Sequence, residues 1–384
     1  MSMPTTPAAD FPEQPLPPWR RAVLKVGSSL LAADGGGLSD QYAAALAGFV
    51  RASHTAGREL VVVSSGAVAA GRAILHANLA PGAPMAERQA LAALGQARLT
   101  GFWQGFFERS VAQVLLTHDD LRNRRRYLNA RATLTALLRH GALPVVNEND
   151  TVSVDELKLG DNDNLAAIVA ALVDADVLFI ATDIDGLFDA DPRIEPHARP
   201  MPLVAKMSAS LLAVAGGAGS SVGTGGMRTK LEAAQRAASA GVATVLFNGR
   251  RADVLEGLAH DRLRGTRIDP LRTRMAARKH WLQNAPAESG AILVDSGAAH
   301  AMVEKGASLL PGGVLAAEGQ FRRGDLVSVV LRDGEAREPI ARGVTQYSAD
   351  DIRRIARRHS RDIETTLGYS YGGTIVHRDD LVLV

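Results

Sequence analysis

What most constrains this chain is the order of its apolar runs. RAVLKVGSSLL (Arg21–Leu31), ELVVVSSGAVAAGRAIL, SVAQVLLT, GALPVVNEND, DVLFIATD and GVATVLFNG each contain a short β-rich core, and each is separated from the next by a stretch of helical length. Strands alternating with helices predict an α/β three-layer sandwich with a mainly parallel central sheet covered on both faces. In such sheets ligands bind outside the carboxyl ends of the strands. Here those ends read KVGSS, VSSGA, VNEND, ATDIDG and FNGR, all polar and several carrying glycine. The expectation is one site assembled from many loops. Ser39 is placed to cap a helix that runs to about Thr55.

A chain of 384 residues is too long for one ordinary core, so more than one domain is expected. The strand–helix alternation stops near Asp269 and PLRTRMAARKHWLQ reads as a basic connector. From Ser289 short strands with turn signals follow, among them a hairpin turn at Arg332–Gly334. The expected division is a disordered, proline-rich tail over 1–18, a main domain over 19–268, a basic linker over 269–288 and a small mainly-β domain over 289–375.

Composition removes several classes of function. Cysteine is absent, which excludes disulfides, thiol catalysis and cysteine-ligated metals. The formal net charge is only +2, so no strong pull on nucleic acid or membrane follows. The longest apolar run, LAAIVAALVDADVLFIA, is broken by Asp174 and Asp176 and should not span a bilayer, and the start of the chain lacks the charged and apolar regions of a secretory signal. A cytoplasmic protein is expected. The histidines form no metal spacing and no Ser-His-Asp array is evident; His118, His140 and His359 read as surface residues.

The polar strand ends carry the chemistry. Lys25 sits in an apolar strand two residues before a glycine turn, where a lysine can simply reach solvent or can meet a phosphoryl group. Its neighbours Gly27, Ser28 and Ser29 supply backbone N–H groups and hydroxyls that suit an anion. Ser64-Ser65-Gly66 repeats the device before a helix. Asn147, Glu148, Asn149 and Asp150 end one strand, while Asp161, Asn162, Asp163 and Asn164 open a helix. One such residue could be a cap; two dense acid-amide clusters suit an ammonium group, a lysine or a hydrated metal, though without the spacing of a calcium loop. Thr182 and Asp183 fall where a nucleotide could rest on the sheet edge. GTGGMRTK (Gly223–Lys230) is not a Walker loop, yet its glycines permit close backbone approach, Thr224 and Thr229 add hydroxyls, and Lys230 falls in the first turns of a helix. Its natural ligand is the phosphate chain of ATP. With no protein nucleophile in view, transfer of a γ-phosphoryl group to a carboxylate fits best, because the acceptor is already an ionised nucleophile.

KVGSSLL, VSSGAVAAGR, NENDTV, KLGDNDNLAA, TDIDGLFDADP and GTGGMRTKLEAA, in this order, resemble the amino-acid kinase family, in its glutamate-phosphorylating branch. DSGA, KGASLLPGGV, FRRGDLV, ARGVTQYSADDIRRIA and GYSYGGTIVHRDD are similar to the PUA domain found in bacterial members of that branch. The resemblance extends from about Arg21 to the C-terminus. It implies conversion of ATP and L-glutamate to ADP and L-glutamyl 5-phosphate, the first step of proline synthesis, with Mg²⁺ dependence, proline as inhibitor and a homo-oligomer. Lys25 and Lys230 match the lysines that stabilise the transferred group, and Asp163 the aspartate that orients them. Ser65, Asp150 and Asn162 match glutamate-binding positions. Lys25, Thr182, Asp183, Thr224, Gly225, Gly226, Met227, Arg228, Thr229 and Lys230 match ATP-binding positions. Arg228 stands where a small residue is usual, and Phe188 where tyrosine is common.

Two other readings remain open on the residues alone. One is a kinase with the same ATP loop and another acid, aspartate or N-acetylglutamate; clustered acid and amide groups favour a free ammonium and so weigh against the acetylated substrate. The other is RNA binding through the PUA-like part, where Arg353, Arg354, Arg357, Arg358 and Arg361 fall at helical spacing. Residues 285–384 carry 12 Lys and Arg against 14 Asp and Glu, a net of −2, whereas a dedicated RNA binder is usually basic.

Overall fold

Runs such as LPVVNE and VLFIAT carry too few polar positions for a half-exposed strand, and in the computed structural model both are buried at every residue. Strands covered on both faces read in this way. The structure describes residues 11–32, 37–76, 84–153, 162–192, 194–195, 197–208, 211, 226–284 and 289–384. The chain divides into two compact units, one of Met1–Arg122 with Asn129–Thr273, the other of Asn123–Leu128 with Arg274–Val384.

The first unit contains β1 (Gln14–Pro15), β2 (Arg21–Val26), β3 (Glu59–Ser64), β4 (Val111–Leu116), β5 (Leu143–Glu148), β6 (Val177–Thr182), β7 (Leu203–Val204), β8 (Ala243–Asn248), β9 (Arg262–Leu263) and β10 (Thr266–Ile268). Eight of these form one sheet in the order β4-β5-β3-β2-β6-β8-β10-β7. Neighbours run parallel except β8 and β10. On one face of β2, Ala22, Leu24 and Val26 share a core with the helices Asp40–Thr55 and Ala252–Ala259. On the other, Lys25 reaches the helix Asn162–Leu172, which packs against the helix Met227–Ser239. The sheet is therefore the middle of three layers, as expected. Its parallel register brings the carboxyl ends of β2, β3, β5, β6 and β8 to one edge.

Two further helices touch backbone to backbone. A Cβ at Gly71 would lie 1.9 Å from the carbonyl oxygen of Leu91, and one at Gly95 would lie 1.8 Å from that of Ala67. No side-chain rotation relieves such contacts, so Gly95→Ala should force the helices Ala67–Leu75 and Met85–Gln104 apart. The expected loss is about 1–3 kcal/mol or more, read as a lower urea midpoint at unchanged m-value.

The expected disordered tail needs correction. Residues 11–18 are packed: Phe11 and Leu16 are buried, and β1 pairs antiparallel with β9. Two apolar side chains and one amide, Gln14, suffice to dock a segment whose prolines already limit its freedom.

The second unit carries β11 (Gly290–Val294), β12 (Val314–Gly319), β13 (Leu326–Asp333), β14 (Ala336–Thr345) and β15 (Val376–Leu383) in the order β12-β11-β13-β14-β15, parallel only between β11 and β13. Gly334, at φ +57°, makes the β13–β14 turn that the sequence signals. Within the expected connector, Arg274–Asn284 is a helix that groups with this unit and buries Leu282. The arginine stripe is also corrected. Its helix spans only Ala349–Ile355, and Arg357 takes a left-handed conformation, φ +62°. Arg353 binds Asp350 at 2.6 Å and the carbonyls of Ala317 and Gly319, while Arg354 binds the carbonyl of Thr366.

Candidate active site

At the sheet edge two lysines from distant parts of the chain meet one carboxylate. Lys25, the next-to-last residue of β2, places Nζ 2.6 Å from Asp163 Oδ1. Lys230, in the first turn of the helix Met227–Ser239, places Nζ 3.4 Å from Asp163 Oδ2. Thr229 Oγ1 lies 2.9 Å from the same oxygen and 2.8 Å from the carbonyl oxygen of Gly226. Asp163 is fully buried, and Lys25 and Lys230 are 5% and 7% exposed. Lys230 is thus not at an exposed helix end. Burial alone would raise the Asp163 pKa, but Lys25, Lys230 and the hydroxyl of Thr229 outweigh it and hold the carboxyl at about 2. Burial lowers the Lys230 pKa, opposed by Asp163 and assisted by Lys25. Two buried ammonium groups share the one buried carboxylate, with Asp183 acting on Lys230 from further out. Such a cluster is costly unless an anion joins it. The N-terminus of the helix Met227–Ser239 adds N–H groups and partial positive charge.

A second cluster adjoins it. Asn162 Nδ2 donates to Ser65 Oγ at 2.8 Å and to Asn147 Oδ1 at 3.1 Å, and Asn147 Nδ2 donates to Gln96 Oε1 at 3.0 Å. Glu148 and Asp150 are buried beside this amide chain. Glu148 Oε1, Asp150 Oδ1 and Gln96 Nε2 have no hydrogen-bond partner among the described residues. Burial, then the neighbouring Glu148, push the Asp150 pKa up to about 7, against the pull of Arg88. Two carboxylates with unmatched oxygens call for a cation, and an ammonium group supplies both charge and donors. His118, read as a surface residue, instead lies half-buried with Nδ1 3.6 Å from Glu148 Oε2. Its strand-end position after β4 turns it inward.

The residues matched to ATP-binding positions divide. Thr182 is buried, with Oγ1 3.3 Å from Asp183 Oδ1, and Asp183 lies close enough to Lys230 to stabilise its charge. Gly226 caps the helix that Met227 opens. Arg228 is exposed and paired with Glu232 at 2.8 Å, apart from the Asp163 cluster. Thr224, Gly225 and Asp161 lie outside the described residues. Gln96 and Arg88 were missed from sequence. Gln96 did leave a signal: it interrupts the apolar stripe Leu91, Ala92, Gly95, Leu99, Trp103 of a buried helix face. Arg88, at the more exposed start of that helix, left none.

The profile of the amino acid kinase family matches residues 20–248, and that of the PUA domain matches residues 290–367. A curated protein named glutamate 5-kinase from Xanthomonas oryzae pv. oryzae is 73% identical over 362 residues, covering 94% of this chain and 100% of that protein. Another of the same name, from Xylella fastidiosa, is 68% identical over 379 residues, covering 98% and 99%.

Proposed function

The chain belongs to the amino acid kinase family, and from that premise we propose that it transfers the γ-phosphoryl group of ATP to the side-chain carboxylate of L-glutamate, giving L-glutamyl 5-phosphate for proline synthesis. The observation that carries the reading is the pair of buried lysines held on one carboxylate, Lys25–Asp163–Lys230. A carboxylate oxygen of glutamate attacks the γ-phosphorus; the bond from that phosphorus to the β–γ bridging oxygen breaks, and ADP leaves with the electron pair. Lys25 and Lys230 neutralise charge that spreads over the equatorial and leaving oxygens. Asp163 touches neither substrate; it fixes the two ammonium groups. Ser65, Asn162 and Asp150 hold the amino acid, with Asn147 and Gln96 orienting Asn162. Thr182, Asp183 and the helix start Gly226–Lys230 face the nucleotide.

Magnesium enters with ATP in this scheme. Asp163 is already taken by two lysines and a hydroxyl, and no group of three His, Asp or Glu that could hold a metal occurs among the described residues. The donor set fits an ion carried by phosphates and water, which would draw negative charge from the phosphate chain when bound. Proline inhibition belongs to the same proposal: proline carries an ammonium and an α-carboxylate for the Asp150 cluster but no acceptor carboxylate. A homo-oligomeric, cytoplasmic enzyme completes it; no helix among the described residues is long and apolar enough to cross a membrane.

The ammonium reading has a pH signature. The Asp150 pKa of about 7 lies above the ordinary carboxyl value of 3.8, so the carboxyl takes up a proton as pH falls through 7 and loses its attraction for an ammonium group. KM for glutamate should rise on the acid side of about pH 7 while KM for ATP does not. The substrate-free fold shows the opposite sign: a carboxyl with a raised folded-state pKa adds stability as pH falls from about 7 toward 3.8. A flat glutamate KM across neutrality would remove Asp150 from the ammonium site.

The substrate is tested by ADP release with MgATP and, in turn, L-glutamate, L-aspartate and N-acetyl-L-glutamate. Release with L-glutamate alone is expected. Release with another acid would keep the phosphate machinery and reject glutamate as the substrate.

A further inference from the structure

The turn Thr182–Phe188 begins at the sheet edge beside Lys230 and ends against the N-terminal arm. Phe11, 4% exposed, sets its ring edge-on to Phe188, with centroids 5.2 Å apart and planes at 83°. Gly186 has no space for a side chain: its Cβ would fall 2.7 Å from Phe11 Cζ and 2.8 Å from Thr266 Oγ1. Thr266 Oγ1 accepts a hydrogen bond from the Leu187 N–H at 2.8 Å and donates to the Met201 carbonyl at 2.8 Å. Asp185 is held from β8 by Asn248 Nδ2 at 3.0 Å. The turn is thus fixed on three sides, and one of them is the arm.

The arm itself is firmly tied. Gln14 Nε2 donates to the carbonyls of Pro202 and Gly265 at 2.8 and 3.0 Å, β1 pairs with β9, and the Leu16 N–H reaches the Asp261 carbonyl at 2.9 Å. Pro12, Pro15, Pro17 and Pro18 restrict its backbone before docking. Leu16 joins the core that Ala22, Leu24 and Val26 share, and the other contacts gather on Pro202, on 261–265 and on the turn itself.

We propose that the N-terminal arm is a positioning element for the nucleotide, acting through Phe11, which seats the Thr182–Phe188 turn so that Thr182 and Asp183 meet ATP in a fixed geometry. The inference rests on the reading of Thr182 and Asp183 as nucleotide-facing. Phe11 touches no substrate. Its effect falls on ATP rather than glutamate, because the Asn147–Asp150 and Ser65 segments end different strands, β5 and β3.

The test is steady-state kinetics of full-length Phe11→Ala, Phe11→Leu and Asp183→Asn, each with a melting temperature. Phe11→Ala is expected to raise KM for ATP about fivefold with KM for glutamate changed less than about twofold, and Phe11→Leu, which refills most of the space, to recover most of the loss. A purely structural contribution would lower the melting temperature and the fraction of active enzyme, and neither changes a KM. An unchanged KM for ATP in both Phe11 variants overturns the proposal; if Phe11→Ala does not fold, Phe11→Leu carries the same test at smaller amplitude. Should Asp183→Asn raise KM for ATP while the Phe11 variants leave it unchanged, the positioning role fails alone. If no variant moves it, the reading of the turn as nucleotide-facing fails, and the proposal falls with it.

Discussion

Asp163→Asn should lower kcat by about a thousandfold while both KM values stay within a few-fold, because in the proposed scheme the lost group acts on the lysines and not on bound substrate. The substitution keeps shape and removes charge. Lys25 and Lys230 would then face each other, both almost fully buried, with no carboxylate between them. Repulsion separates them or strips a proton from one, and either outcome misplaces the charge proposed to meet the γ-phosphoryl group. The variant should also lose stability, by about 3–5 kcal/mol, the usual cost of removing one member of a buried ionic group. Denaturant titration and initial rates read the two effects separately. The linkage has a definite sign: with a folded-state pKa of about 2 against the ordinary carboxyl value of 3.8, Asp163 contributes stability that is complete above about 3.8 and lost as pH falls through 2. Asp163→Asn should flatten that acid limb. A raised KM for glutamate with normal kcat would instead place Asp163 in the binding of substrate.

Lys230→Met tests the other half of the cluster, with a side chain that fills the buried stem and carries no charge. Removing one preorganised cation from a dry site costs about 3–4 kcal/mol of transition-state stabilisation, so kcat should fall several hundred-fold. The fold should tolerate the change better than it tolerates Asp163→Asn, since Lys25 then balances Asp163 alone. The wild-type alkaline limb follows from the same group: burial holds the Lys230 pKa below 10.5, so kcat should begin to fall at a pH below the ordinary lysine range. That limb should be absent from the residual activity of Lys230→Met. Near-normal turnover in this variant would remove the helix Met227–Ser239 from the phosphate site.

The layers were legible because β6 is apolar at every position but its last and β5 is apolar until its polar end, as a sheet covered on both faces requires. The positions of Lys25, Asp163 and Lys230 at strand and helix ends were legible too, one at a time. Their convergence was not, because it depends on β2 pairing with β6 rather than with its nearest neighbour in the chain alone. The reversal at β10 left little signal: three residues after Gly265 carry too little pattern to show direction. The docked arm was hidden because its two anchors, Phe11 and Leu16, stand isolated among prolines and give no periodicity. Spacing misled once, at the arginines of the second unit, where counting assumed that a helix continues through Arg357 and the backbone turns left-handed there. Gln96 shows the reverse, a polar residue on an apolar stripe whose signal was present in the sequence and passed over.

The acceptor atom is the heart of the proposal, and trapping the product tests it most directly. Incubating the full-length protein with MgATP, L-glutamate and hydroxylamine should yield glutamyl hydroxamate in step with ADP, because an acyl phosphate at the side-chain carboxylate is intercepted by the amine. Asp163→Asn should yield both about a thousandfold more slowly. ADP released from the wild-type protein without hydroxamate would mean that water or another group accepts the phosphoryl, and the assignment of glutamate as acceptor would be wrong.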